Sequence, residues 1–456
     1  MDRFVINGGN PLVGTIHVSG AKNSALPCMA AAILTEDEVT LENIPQVRDI
    51  ATERRLLTSM GAEVELPAAT VPAGESAFAG RGGEARGRTI ISCHRLSDPV
   101  ARYEIVKTMR ASSLVLGPLL ARTGMARVAM PGGCAIGGRP IDLHIKGLEK
   151  MGAAITQEHG YLAARVDSRV GRLTGAHLVF DRITVTGTED LLMAAVLAEG
   201  ETLMENCARE PEVVDLAALL SAMGAKIEGA GTATIRVRGV PSLHGAHYRI
   251  NPDRIEAGTF LVAGAITGGD LIVADCNTVH LGAVISKLTE AGARVDVLGP
   301  DAARVRASGG LRAADISTEE YPGFATDMQA QYMALATQAE GVSLVRENIF
   351  ENRFMHVQEL VRMGANIKVD GNTATVRGPA RLSAAAVMCS DLRASASLVL
   401  AALVAEGESI VDRVYHMDRG YERFEEKLCS VGAQIQRLGN VFAPRAEKPS
   451  AVDQPA

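Results

Sequence analysis

The chain has 456 residues, with 46 basic and 53 acidic side chains and a formal net charge of -7. At roughly 150 residues per domain, this length predicts two or three domains, each large enough for a sizeable core. The acidic balance, the absence of Trp and an aromatic content of 4% argue against a nucleic-acid-binding protein, which needs basic surfaces and often aromatic stacking platforms.

The N-terminus, the apolar runs and the cysteines predict the compartment. Met1 to Gly9 contains no apolar segment that could serve as a signal peptide. Apolar runs such as Ala394 to Ala405 are shorter than the ~18 residues needed to cross a bilayer. The seven cysteines are scattered, without a CxxC pair or a Cys/His cluster of metal-site spacing. A cytoplasmic protein with reduced, mostly buried thiols and without membrane insertion, metal or cofactor is therefore expected.

Each of six repeated units opens with an alanine-rich helix that is apolar nearly all round, which predicts burial on every side. The six segments are Ser24 to Leu34, Ala111 to Ala121, Leu191 to Ala198, Gly258 to Ile266, Met328 to Ala339 and Ala394 to Ala405. A turn, a short strand such as Gly341 to Arg346 and a second, amphipathic helix such as Val213 to Met223 follow. Helices are therefore expected at the centre and sheets outside.

Each second helix ends on Gly-Ala, and the six markers are separated by 91, 72, 68, 72 and 68 residues. They are Gly61-Ala62, Gly152-Ala153, Gly224-Ala225, Gly292-Ala293, Gly364-Ala365 and Gly432-Ala433. The glycine is expected to cap the helix, and a half-buried alternating strand follows. Six units predict an α/β fold of two similar three-repeat domains, which we place at residues 22–250 and at 1–21 plus 251–440. The insertion 67–87 is an expected exposed loop, and 441–456 an expected flexible tail.

The loop from Pro131 to Pro140 holds one cysteine between two glycine pairs, with Arg139 five residues later. Gly132, Gly133, Gly137 and Gly138 let the backbone bend sharply and approach a ligand closely. A guanidinium near Cys134 favours the thiolate, which is one way for a cysteine to become reactive. The loop predicts a mobile lid with a reactive thiol, and the alternative is an ordinary free cysteine in a flexible turn.

Charged residues recur where the buried helices begin. The basic ones are Lys22, Arg110 and Arg393, and Arg139, Arg353 and Arg419 add to them elsewhere. Helix N-termini attract anions, and guanidinium groups bind phosphate and carboxylate in bidentate fashion. For any single residue of this set, a surface salt bridge worth ~0–1 kcal/mol is the simpler explanation. As a set in an acidic protein, they predict a cleft that binds a small polyanion.

Seven motifs carry a resemblance to a known family. They are Gly20 to Pro27, Lys107 to Ser112, Pro131 to His144, Ala325 to Gln329, Glu351 to His356, Asp391 to Ser395 and Asp418 to Arg423. Together they closely resemble the UDP-N-acetylglucosamine 1-carboxyvinyltransferases, the enolpyruvyl transferases that open peptidoglycan synthesis in bacteria. The resemblance runs from about residue 1 to 440, and the cysteine loop is specific to this branch. It implies a pair of inside-out α/β barrels with the active site in the cleft between the domains.

The resemblance also implies a reaction and its residues: transfer of the enolpyruvyl group of phosphoenolpyruvate to the 3′-hydroxyl of UDP-N-acetylglucosamine. Lys22, Arg139 and Arg419 are expected to hold the phosphate of phosphoenolpyruvate, with Arg393 and Lys22 at its carboxylate end. The implied contacts to the UDP-sugar are Asn23, Arg110, Arg139, Pro140, Ile141, Asp142, Leu143, Arg182, Ile183, Thr184, Val185, Asp327 and Ile349. Asn23 is also an implied contact to phosphoenolpyruvate. Cys134 is the implied proton donor to the methylene carbon, and Asp327 the implied base for the attacking hydroxyl.

Two alternatives stay open. The 5-enolpyruvylshikimate-3-phosphate synthases share the fold and the phosphoenolpyruvate cations but use another acceptor; the Cys134 loop and the run Arg139 to Leu143 argue against them. The other alternative is a catalytically weak paralogue that binds UDP-sugar and acts through a protein partner. Against it, every implied catalytic residue is present.

Overall fold

The computed structural model describes residues 2–66, 88–130, 141–167, 171–307 and 310–439. Within these ranges the strands form six separate four-stranded sheets and no closed barrel. The predicted insertion 67–87, the cysteine loop 131–140 and the tail 441–456 lie outside the described residues.

Three sheets are built from the first half of the chain. Their strands are β3 (Val39–Glu42), β4 (Glu63–Glu65), β5 (Thr89–Ser92), β6 (Val100–Ala101), β7 (Met125–Ala129), β8 (Ala153–Glu158), β9 (Tyr161–Val166), β10 (His177–Val179), β11 (Glu201–Glu205), β12 (Lys226–Glu228), β13 (Thr234–Arg238) and β14 (His247–Arg249). The spatial orders are β14-β3-β5-β4, β6-β7-β9-β8 and β10-β11-β13-β12.

The other three sheets combine the second half of the chain with its N-terminus. Their strands are β1 (Arg3–Asn7), β2 (Val13–His17), β15 (Asp270–Ala274), β16 (Arg294–Gly299), β17 (Ala302–Arg306), β18 (Ile316–Ser317), β19 (Gly341–Arg346), β20 (Asn366–Asp370), β21 (Thr373–Gly378), β22 (Ala386–Met388), β23 (Glu408–Asp412) and β24 (Gln434–Leu438). The spatial orders are β16-β17-β15-β2, β18-β19-β21-β20 and β22-β23-β1-β24.

All six sheets share one pattern of pairing: one edge strand is parallel to its neighbour, and the other two pairs are antiparallel. The predicted sixfold repeat is therefore confirmed at the level of strand topology. Three strands join sheets whose other strands are distant in sequence. β14 completes the sheet of β3 and β5, and β1 and β2 complete sheets of the C-terminal half.

Apart from the short α3, buried helices alternate along the chain with amphipathic ones. They are α1 (Lys22–Ala31), α2 (Arg48–Ser59), α3 (Tyr103–Val106), α4 (Leu116–Thr123), α5 (Asp142–Lys150), α6 (Val185–Ala195), α7 (Pro211–Ala222), α8 (Arg254–Ile266), α9 (Gly282–Glu290), α10 (Gln329–Ala336), α11 (Val357–Arg362), α12 (Leu392–Ala402) and α13 (Phe424–Cys429). All residues of α10 and all of α8 after Arg254 are buried, as the apolar pattern predicts.

The predicted helix from Ala111 to Ala121 is divided near its middle. The segment from Ala111 to Ala121 consists of a 3-10 turn, Arg110–Val115, followed by α4. Pro118 lies in the first turn of α4, where its missing N–H costs nothing, but it could not continue an α-helix that began at residue 111.

The glycine of each Gly-Ala marker ends a helix as predicted. The six φ angles lie between +91° and +109°, in the left-handed region where a side chain would strain the backbone. The markers follow α2, α5, α7, α9, α11 and α13.

The buried apolar side chains form two clusters. The first cluster runs from Ala25 to Ile250, and the second combines Phe4 to Val18 with Ile255 to Ala433. This separation supports the domain division at residues 22–250 and at 1–21 plus 251–440, which stays a prediction.

Of the six cysteines that the structure describes, Cys28, Cys93, Cys207, Cys276 and Cys389 are buried, whereas Cys429 is exposed. Burial raises the pKa of the Cys93 thiol to about 11, so this thiol is unreactive at neutral pH, as expected. Among the described residues, no helix is both long and apolar enough to cross a membrane.

Candidate active site

The first part of the site is a carboxylate shared by two cations. Lys22 is the first residue of α1, and Arg419 is the last residue of the 3-10 turn Val414–Arg419. Asp49, in the first turn of α2, accepts hydrogen bonds from Lys22 Nζ at 3.1 Å and from Arg419 Nε at 3.0 Å. The structure thus brings together two of the three cations predicted to hold phosphate.

A second carboxylate, Asp327, binds two guanidinium groups. Its Oδ1 accepts from Arg353 Nη2 at 2.8 Å, and its Oδ2 accepts from Arg393 Nε at 3.0 Å. The arginine side chains are 5% and 4% exposed, which rules out the surface salt bridge as their explanation. Each also has a buried Nη1 that bonds no residue in the described part of the chain. Buried donors without partners are typical of a site that takes an anionic ligand.

Arg393 is held in place from three sides. Asp391 caps α12, since its Oδ1 accepts from the backbone N–H groups of Arg393 at 2.9 Å and Ala394 at 3.0 Å. The guanidinium lies 5.2 Å from the ring centre of Tyr421. Burial opposes the charge of Arg393, but Asp327, Tyr421 and Asp253 together outweigh it and raise the pKa of the guanidinium. Tyr421 follows Arg419 by two residues, so it connects the surroundings of the two shared carboxylates.

The two segments predicted to contact the UDP-sugar lie at the starts of adjacent helices. Their predicted contact residues are Ile141, Asp142 and Leu143 at α5, and Arg182, Ile183, Thr184 and Val185 at α6. Thr184 caps α6 by accepting from the Gly187 N–H at 3.2 Å. Arg182 Nη2 donates to Asp142 Oδ1 at 3.4 Å, and both side chains are solvent-accessible. The structure therefore brings the two segments together.

A buried histidine joins the same two helices. His144 Nδ1 lies 3.0 Å from Asp190 Oδ2, and its Nε2 lies 3.3 Å from Thr186 Oγ1. The side chains of His144 and Asp190 are 2% and 0% exposed. No motif in the sequence predicts this pair, although the i, i+4 spacing of His144 and Leu148 indicates that both face the core.

Glu347 holds another predicted UDP-sugar contact, Ile349, beside the Asp327 segment. The buried Glu347 carboxylate accepts from the Ile349 N–H at 2.9 Å and from Thr326 Oγ1 at 3.0 Å. Because Thr326 immediately precedes Asp327, one carboxylate holds both chain segments. No motif in the sequence distinguishes Glu347 from a surface glutamate.

The other predicted site residues are placed as follows. Asn23 is the second residue of α1 and is half-buried, and Arg110 begins the 3-10 turn Arg110–Val115, which packs against α1. Cys134, Arg139 and Pro140 lie outside the described residues.

Glu53 lies one turn beyond Asp49 on the buried face of α2. It is 1% exposed, and neither carboxyl oxygen bonds a described residue. Burial, and then the nearby charge of Asp49, raises the pKa of Glu53 from 4.5 to about 8. Glu53 is therefore mainly protonated in the folded protein at neutral pH.

Glu53→Gln is expected to stabilise the fold increasingly as the pH rises from about 5 to 8. An acid whose pKa is raised by folding contributes stability below its unfolded pKa and loses it as the pH rises through the folded value. The shift from 4.5 to about 8 predicts a gain on the order of 3–5 kcal/mol above pH 8. Urea unfolding of parent and variant at pH 5, 7 and 8.5 measures it, and an equal gain at every pH would contradict the prediction.

Comparison with known proteins identifies the family. The family model for EPSP synthase (3-phosphoshikimate 1-carboxyvinyltransferase) matches residues 6–428. The chain is 74% identical to the UDP-N-acetylglucosamine 1-carboxyvinyltransferase of Acidobacterium capsulatum over 98% of both chains. It is 66% identical to the protein of that name from Koribacter versatilis, over 99% of this chain and 100% of the relative.

A solved structure supports the same assignment. The enolpyruvyl transferase NikO from Streptomyces tendae superposes with a TM-score of 0.83 at 25% identity, over 96% of this chain and 99% of that one. The predicted two-domain inside-out α/β fold class and the predicted family are confirmed. The chain therefore belongs to the EPSP synthase family and, within it, to the UDP-N-acetylglucosamine 1-carboxyvinyltransferases.

Proposed function

We propose that this protein transfers the enolpyruvyl group of phosphoenolpyruvate to the 3′-hydroxyl of UDP-N-acetylglucosamine and releases phosphate. The observation that carries the proposal is the 74% identity, over 98% of the chain, to a relative whose name states a UDP-N-acetylglucosamine 1-carboxyvinyltransferase. The reaction takes place in the cytoplasm as the first committed step of peptidoglycan synthesis, and so serves cell-wall formation, cell shape and cell division. Its partners are these two small molecules.

The proposed phosphoenolpyruvate site uses the cations around both shared carboxylates. Lys22 and Arg419 hold the phosphate with Arg139 and Asn23, and Arg393 with Lys22 binds the carboxylate end. We add Arg353 to the carboxylate site, because Arg353 and Arg393 each have a buried Nη1 without a partner among the described residues. The planar fork of a guanidinium matches the oxygens of a carboxylate, so two such forks suit this ligand.

The proposed UDP-sugar site uses the helix starts of the first cluster and the Asp327 segment. Its residues are Asn23, Arg110, Arg139, Pro140, Ile141, Asp142, Leu143, Arg182, Ile183, Thr184, Val185, Asp327 and Ile349. The contact between Arg182 and Asp142 at 3.4 Å supports the grouping of the two helix starts. The shared bonding of Ile349 and Thr326 to Glu347 supports the grouping of Ile349 with Asp327.

The proposed mechanism is an addition followed by an elimination. Asp327 takes the proton of the 3′-hydroxyl while the 3′-oxygen of the sugar attacks carbon 2 of phosphoenolpyruvate. Cys134 gives a proton to the methylene carbon, which becomes a methyl group. The tetrahedral intermediate then loses phosphate while the methyl group returns a proton to a base of the site, which restores the double bond. The Asp327 side chain is 27% exposed, so a hydroxyl group can reach it. Arg353, Arg393 and Arg419, which are already held by ion pairs to Asp327 and Asp49, stabilise the anion through both steps without rearranging.

Cys134→Ser is expected to abolish labelling by a small epoxide thiol reagent of the fosfomycin type, because the thiolate is the nucleophile. Mass spectrometry of the intact protein measures the adduct. Cys429→Ser removes an exposed cysteine and is expected to label as fast as the parent, so it serves as the control. Cys134→Asp is expected to keep turnover, since a carboxylic acid can also deliver the proton. Labelling of Cys134→Ser at the parent rate would exclude Cys134 as the nucleophile.

The experiment that tests the proposed function is phosphate release from phosphoenolpyruvate with UDP-N-acetylglucosamine as acceptor. Shikimate 3-phosphate and a reaction without acceptor run beside it. Release with the UDP-sugar alone is the expected result. Release with shikimate 3-phosphate would assign the chain to the sister activity, and folded protein that releases phosphate with neither acceptor would favour a UDP-sugar-binding regulator.

A further inference from the structure

Two sequence-adjacent pairs of opposite charge, one beside each apolar cluster, contact each other. Arg48 and Asp49 begin α2, beside Ile50 of the first cluster, whereas Asp418 and Arg419 end the turn that contributes Met417 to the second. Arg48 Nε lies 3.5 Å from Asp418 Oδ2, and Asp49 Oδ1 accepts from Arg419 Nε at 3.0 Å. The order Arg-Asp therefore meets the order Asp-Arg, which makes both contacts attractive.

Asp49 also binds Lys22, so its two oxygens bind two of the three predicted phosphate cations. Oδ2 accepts from Lys22 Nζ at 3.1 Å and lies 3.5 Å from Arg419 Nη2. The Asp49 side chain is 5% exposed and that of Lys22 is 11% exposed. Two cations held this close would repel each other, and a carboxylate between them removes that repulsion.

The chain around Arg419 is anchored independently of Asp49. Asp418 binds Arg437 through two contacts, at 2.6 and 2.9 Å, and the Tyr421 hydroxyl lies 2.9 Å from Thr259 Oγ1. The Arg419 side chain itself is 38% exposed, and Asp49 is its carboxylate partner among the described residues. Asp49 therefore determines where the guanidinium lies, while the backbone is held by other contacts.

We infer that Asp49 is the positioning residue of the phosphate site. It holds Lys22 of the first cluster and Arg419 of the second side by side before phosphoenolpyruvate binds, and the Arg48–Asp418 contact keeps the two elements in register. A dianion then meets two oriented donors and does not have to order a long side chain from each half of the molecule. This inference rests on the proposed function, because it takes phosphoenolpyruvate as the ligand of these cations.

Asp49→Asn tests the inference, since it keeps the shape of the side chain and removes its charge. The KM for phosphoenolpyruvate is expected to rise about ten- to hundredfold, and the KM for UDP-N-acetylglucosamine to stay within about twofold. The control is Glu53→Gln. Glu53 is a buried carboxyl on the same helix, and its oxygens bond no described residue. This variant is expected to leave both KM values unchanged. An unchanged or lower KM for phosphoenolpyruvate would overturn the inference, as would an equal rise in both KM values.

Arg48→Met keeps the test decisive if Asp49→Asn does not fold. It removes the crossed contact to Asp418, along with the contacts of Arg48 to Asp2 and to the Tyr415 ring, and a three- to fivefold rise in the KM for phosphoenolpyruvate alone is expected. A parent-like KM for phosphoenolpyruvate in this variant would contradict the role of the crossed pair.

Calorimetric titration with inorganic phosphate separates this inference from the proposed function. If the parent binds phosphate and Asp49→Asn binds it at least tenfold more weakly, Asp49 positions the cations even when neither acceptor supports turnover; equal affinities would overturn the inference.

Discussion

Asp327→Asn is expected to lower turnover by a factor of about 100 to 10,000, because an amide cannot take the proton of the attacking hydroxyl. UDP-N-acetylglucosamine is expected to bind with little change, since the amide keeps one oxygen and the shape of the side chain. The kcat from phosphate release and the Kd from calorimetry measure the two effects separately.

Asp270→Asn is a matched control for this variant. Asp270 accepts from both Nε and Nη2 of Arg304, at 2.6 and 2.5 Å, so it is also a carboxylate bound to an arginine fork, but it lies on β15 away from the proposed site. Its replacement is expected to leave kcat unchanged. Turnover of Asp327→Asn at the parent rate would remove Asp327 from the mechanism.

Arg393→Lys is expected to lower kcat/KM for phosphoenolpyruvate about 100- to 1,000-fold, the effect of losing on the order of 3–4 kcal/mol of transition-state stabilisation. The guanidinium bonds Asp327 through Nε at 3.0 Å and Nη2 at 2.9 Å, and its buried Nη1 bonds no described residue. An ammonium is a single point charge and cannot hold Asp327 and a substrate carboxylate in one plane. Initial rates at varied phosphoenolpyruvate, with the melting temperature of the variant, measure the effect.

Arg304→Lys is the control that matches the chemistry of this change. Arg304 forms the same two-atom contact, with Asp270, but at the surface, where its side chain is 36% exposed. It is expected to leave kcat/KM unchanged, because an exposed ion pair contributes at most about 1 kcal/mol to stability and this one does not touch the site. A parent-like kcat/KM in Arg393→Lys would show that charge alone, and not the fork, is what the site requires.

The repeat and its boundaries could be predicted from the sequence because they depend on local chemistry. An alanine-rich segment without a polar face has to be buried, and residues 329–336 are buried throughout. A glycine after an amphipathic helix can adopt the left-handed conformation, and all six Gly-Ala glycines do. The basic residues at helix starts, Lys22 and Arg393, were likewise visible as an unusual choice at a position that favours small polar caps.

Only the tertiary structure decides which charges meet. Asp49 and Arg419 are 370 residues apart in the chain, and nothing near Asp49 in the sequence distinguishes it from an ordinary acid in the first turn of a helix. Glu347 and the pair of His144 with Asp190 were missed for the same reason, since each acts through a partner on another element. By itself the sequence determined the repeated units, their buried helices and their glycine caps, because these follow from the local periodicity of side chains. The pairing of Asp49 with Lys22 and Arg419, and of Asp327 with Arg353 and Arg393, was decided by the packing of the two clusters, because electrostatic contacts depend on distance in space and not along the chain.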